Sequence, residues 1–143
     1  MILGIIILVV LFVAYALLCA ITEAHYQDYL YFTDRKHKNL HPLYFIERGI
    51  VLFFVWLQTY NLFIWDRIIF CFALILIHPF FHNGMLYTVR NYLTPEIYKK
   101  KWFADKEKGQ DKHSAIFEIS AKFRIAMLLI GLLLITGVIL ESV

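Results

Sequence analysis

Two histidines four residues apart stand in the stretch Ile77-His78-Pro79-Phe80-Phe81-His82-Asn83-Gly84, inside an otherwise apolar run. On a helix this spacing puts both imidazoles on one face about a turn apart, which is how a helix offers two nitrogens to a single metal ion. A metal needs further donors. Glu23 and Glu118 are the candidates to complete the shell from neighbouring helices, with Glu47 a third carboxylate in the same zone. The other reading needs no metal: polar side chains in a span are hydrogen-bonded or packed inward, and one of these imidazoles can satisfy the Ile75 carbonyl whose donor Pro79 removes. No cofactor is predicted outright; a transition metal at His78 and His82 is the alternative. His37 and His41 repeat the spacing, but in a lysine-flanked segment before Pro42 where solvated side chains are expected. His25 and His113 are isolated.

The elements that must hold these residues follow from hydropathy. Of 143 residues 61% are hydrophobic and only 17% charged, against about 45–50% and about 25% in a soluble domain. The surplus fits a bilayer. The expected fold is an all-α integral membrane protein, a four-transmembrane-helix bundle forming a single membrane domain over residues 1–143, with spans at about 2–22, 49–64, 68–89 and 122–140. The first run, Ile2 to Ile21, lacks the charged start and small-residue cleavage site of a signal peptide and reads as a retained span. Trp65-Asp66-Arg67 is a junction short enough to make the second and third helices antiparallel neighbours, with Trp65 as an interfacial anchor. Pro79 should kink the third span. Between spans 3 and 4, Thr94-Pro95-Glu96 is a helix start, and Lys99, Lys100, Lys101 and Trp102 predict a short interfacial amphipathic helix along the headgroups. The fourth helix is expected to start near Ser114.

Charge then orients the chain. If four spans are correct, segments 23–48 and 90–121 lie on one side and, together with Lys122 and Arg124 at the start of the fourth span, hold every Lys and Arg except Arg67, so the positive-inside rule puts both segments in the cytoplasm and both termini outside it. The expected location is a bacterial-type inner or plasma membrane. The formal net charge of +3 then reflects topology and attraction to anionic lipid headgroups, not nucleic-acid binding. Cys19 and Cys71 differ in depth by roughly 20 Å, too far for a disulfide, and are expected as free thiols. On the same ruler His78 lies about 16 Å and His82 about 22 Å below Arg67 in a core about 30 Å thick, so His78 sits near mid-membrane.

These residues also exclude several families. Two HxxxH spacings without HxxHH, and six histidines in all, are too few for the di-iron membrane hydroxylases. A four-helix b-type cytochrome needs histidines on two spans, and only the third carries any. In size and topology the chain resembles the glutathione- and eicosanoid-handling membrane family, and Glu47-Arg48 resembles the start of its second-helix motif. The asparagine and second glutamate that should follow are absent from Gly49 to Leu57. With no phosphate loop and no nucleophile constellation, the leading expectation is a non-enzymatic membrane component: a scaffold, subunit or small channel acting through a homo-oligomer or a membrane-protein partner. Gly131 and Gly137 in the fourth helix allow close approach of a neighbour, although the spacing is not GxxxG. The alternative is a His-ligated metalloprotein or oxidoreductase working on a lipid or quinone-like substrate at the cytoplasmic rim.

Overall fold

The computed structural model describes residues 2–32, 41–95, 102–103 and 119–142. Those residues form four helices and no strand: α1 (Ile2–Phe32), α2 (His41–Gln58), α3 (Ile64–Leu93) and α4 (Ala121–Glu141). Three helices are long and apolar enough to cross a membrane, over Ile2–Tyr26, Ile64–Leu93 and Ala121–Glu141. Four were expected. α2 is not among the three; its 18 residues include His41, Glu47, Arg48 and Gln58.

Three expected boundaries move. α2 starts at His41, not Gly49, with Pro42 in its first turn, where a missing amide hydrogen costs nothing. The junction between α2 and α3 is the 59–63 turn, and Trp65-Asp66-Arg67 belongs to α3. Local hydrogen bonding explains the shift: Thr59 donates its hydroxyl to Val55 O at 3.0 Å, and Arg67 Nη2 donates to Trp56 O at 2.7 Å, so two side chains finish the open end of α2. The Arg67 guanidinium also lies 4.1 Å over the Trp56 ring. Asp66 then sits in the first turn of α3, where the helix dipole favours a carboxylate. The fourth helix begins at Ala121 and not near Ser114; Ile119 and Ser120 are not helical, and the Ser120 hydroxyl caps α4 by accepting from the Phe123 amide at 3.3 Å. α1 runs past its apolar part to Phe32, and α3 stays helical through Pro79.

α3 is the axis on which the others pack. Ile5 and Phe12 near the start of α1 share a core with Phe70, Ala73, Leu74 and Ile77 of α3, while Ala20 and Ala24 meet Leu86 further on, so α1 and α3 run parallel. α4 runs the other way: Val138 and Ile135 join the first cluster, and the Arg124 guanidinium lies 5.5 Å from the Tyr87 ring centre. α4 approaches α3 closely at Gly131, where an added Cβ would sit 2.9 Å from Ala73 O and 2.5 Å from Ile77 Cγ2. Gly137, by contrast, has open space around it. Between apolar helices in lipid such close backbone contact, not water exclusion, supplies the attraction. α2 gives this core only Val55 as a fully buried residue. Its outer face, with Phe45, Phe53 and Phe54, is exposed.

Candidate functional site

Beside the apolar contacts of Val51, Leu52 and Val55, α2 is tied to the rest by polar groups. Glu23 on α1, Arg48 on α2 and His82 on α3 meet in one cluster, with Glu23 and His82 both buried. His82 Nε2 lies 3.2 Å from Glu23 Oε2 and also 3.2 Å from Arg48 Nη2, and Arg48 Nη2 is 4.0 Å from the same carboxylate oxygen. One ring nitrogen cannot both donate to a carboxylate and accept from a guanidinium. If Nε2 carries hydrogen and donates to Glu23, Arg48 is held by the charge of Glu23. His82 Nδ1 is 3.2 Å from Asn83 Oδ1, so the neighbouring side-chain amide holds the other edge of the ring. A second α1–α2 tie lies nearby: Cys19 Sγ donates to Glu47 Oε1 at 3.2 Å.

The helix register explains the meeting. Ala16, Ala20 and Ala24 are fully buried, so α1 lies close against its neighbour, and Glu23 beside Ala24 reaches α3 where Leu86 and His82 face it. The inner face of α2 carries Tyr44, Arg48, Val55 and Thr59 at helical spacing, which delivers Arg48 to the same point.

His78 sits one turn from His82, as the spacing predicts, and the two rings stack with centroids 5.0 Å apart and planes 19° from parallel. Phe12 covers it edge-on at 6.0 Å. Its Nε2 is buried without a hydrogen-bond partner, as is the Tyr15 hydroxyl on α1. An imidazole lone pair lies in the ring plane, so near-parallel stacked rings must turn before both can address one ion. Of the expected metal donors the structure brings together His78, His82 and Glu23; Glu118 lies outside the described residues. Among the described residues no group of three or more His, Cys, Asp and Glu side chains is arranged to hold a metal ion. Cys19 and Cys71 are both free.

The expected membrane-interface residues divide. Trp65 is 71% exposed at the start of α3, as an anchor would be. Lys99, Lys100 and Lys101, and with them the interfacial helix, lie outside the described residues. Thr94 closes α3, its amide donating to Arg90 O at 2.9 Å. Trp102 packs inward: its indole covers Gly84 and meets the Phe80 ring at 5.8 Å, with Phe103 6.2 Å from the same ring. Sequence reasoning missed this seat, and also the burial of Arg90 and Arg124 at 4% and 1% exposure. The bare Gly84 between His82 and Leu86 was the available signal for the first.

Compared with protein-family models, curated proteins and solved structures, the chain matches none.

Proposed function

We propose that this chain is a non-enzymatic integral membrane component, a four-helix bundle with α2 as its fourth span, that acts as a scaffold, subunit or small channel through copies of itself or a membrane-protein partner. The observation that carries the reading is the Glu23–Arg48–His82 cluster: three polar side chains from three helices satisfy one another, as a clamp for the least packed helix would require. In this reading the lysine-rich segments face the cytoplasm and anionic lipid, and the termini lie on the other side. The exposed apolar faces of α2 and α4 are then covered by lipid or by a neighbour.

The test is the mass of the full-length protein in lipid nanodiscs, measured beside its Arg48→Gln variant. A stable oligomer or a co-purifying membrane partner is expected; a strict monomer that turns over a lipid or quinone substrate would overturn the reading.

One observation favours a second reading, a His-ligated metalloprotein. The His78 Nε2 atom is buried with no hydrogen bond and lies next to His82, so a ligand there would complete it. Elemental analysis and absorption spectra of purified protein, beside the double change His78→Ala, His82→Ala, decide this. A stoichiometric metal lost in the variant establishes the metal site.

A further inference from the structure

The level at which the lipid headgroups meet the protein can be read from three elements. Glu47 is exposed on the flank of α2, and the Arg48 side chain is 36% exposed. Charged groups facing hydrocarbon are strongly disfavoured. A boundary well beyond Arg48, toward the start of α2, would sink both charges into the lipid. The connection after α3 gives the second constraint. Trp102 and Phe103 form a turn, not a helix, yet they pack on Phe80 and Gly84. Phe80 lies ten residues, about 15 Å, before Arg90. Were the boundary at Arg90, this turn would dip to mid-bilayer with backbone groups that a membrane interior leaves unsatisfied. α3 supplies the third: from Asp66 to His82 it rises about 24 Å, nearly a bilayer core, with exposed Phe63 and Trp65 at its outer end to take up the shortfall.

We propose that the headgroup layer meets this protein at the level of Glu23, Arg48 and His82, with Arg48 facing lipid phosphate, and that α1 and α3 project beyond it into water as a juxtamembrane stub. The stub has a polar interior and a wet surface: Arg90, Arg124 and Thr94 are buried there, while Tyr29 and Tyr92 are 50% and 85% exposed. His78, one turn inside His82, then lies just within the hydrocarbon edge and not at its middle.

The proposal rests on the membrane reading, and the experiment separates the two. Full-length protein with Trp56→Phe and Trp65→Phe, leaving Trp102 as its one tryptophan, is reconstituted with phosphatidylcholine brominated near the headgroup end or near the methyl end of its acyl chains. Stronger quenching of Trp102 by the shallow bromines is expected. Stronger quenching by the deep bromines overturns the proposal, and so does quenching by neither; protein that does not co-float with the vesicles overturns the membrane reading itself. Because Trp56→Phe removes the ring under Arg67, a second measurement stands beside it. Tyr29→Cys and Tyr92→Cys, each in a Cys19→Ser, Cys71→Ala background in nanodiscs, should react with a membrane-impermeant maleimide within about tenfold of the rate in detergent-denatured protein. Protection of both by a hundredfold or more overturns the proposal.

Discussion

At the residue scale the Glu23–His82 contact is the one whose removal tells most. A buried charge that loses its partner is costly while a matched apolar pair is not, so His82→Ala should destabilise the fold by about 3 kcal/mol and Glu23→Gln by less, since the amide oxygen still accepts from Nε2–H. Denaturation in mixed micelles, run as a double-mutant cycle with Glu23→Leu, His82→Leu, measures this. A double variant as unstable as the sum of the singles would deny the coupling. Arg48→Gln probes the third member. It should leave the α1–α3 contact intact and loosen α2, seen as faster amide exchange confined to 41–58. The histidine spacing and the zone holding Glu23 were both legible along the chain, because i, i+4 residues share a face whatever surrounds them. The identity of the partners was not. Glu23 and Glu47 sit at comparable depth, and only the rotation of α1 and α2 about their axes sends one to His82 and the other to the Cys19 thiol.

At the element scale two glycines on one helix behave oppositely. Gly131→Ala puts a methyl against the Ala73 carbonyl and should cost about 1–3 kcal/mol by forcing α3 and α4 apart, whereas Gly137→Ala meets nothing and should be neutral or slightly stabilising. Equal effects of the two in the same denaturation assay would contradict the packing described. Gly84→Ala should displace the Trp102 indole and shift its emission without unfolding the helices. The sequence marked Gly131 and Gly137 alike, since composition cannot say which face meets a neighbour. Helix ends were misplaced for a related reason. The end of α2 at Gln58 is set by Thr59 and by Arg67 reaching back from the next helix, a bond between residues eleven apart that no local pattern announces.

At the scale of the whole molecule the opposing directions of α2 and α4 to α3 agree with the alternating course that the span count and the lysine-rich segments suggest. With α2 crossing, a phosphatase fused to the C-terminus should be active outside the cytoplasm and a cytoplasm-dependent fluorescent fusion there should be dark; the reverse pattern would leave an odd number of crossings. Order along the chain sufficed for the helical character of the described residues and for three helices long and apolar enough to cross a membrane, because a bilayer demands about twenty consecutive apolar residues and backbone groups bonded within their own segment, and both demands are local. It also sufficed for the histidine face. Which carboxylate His82 meets, that α2 is tied by polar as well as apolar contacts, that Trp102 turns back onto Gly84, and that Arg90 and Arg124 lie buried were decided by tertiary structure. Each depends on the rotation and close approach of whole helices, and residues far apart in sequence set those only once the helices are packed.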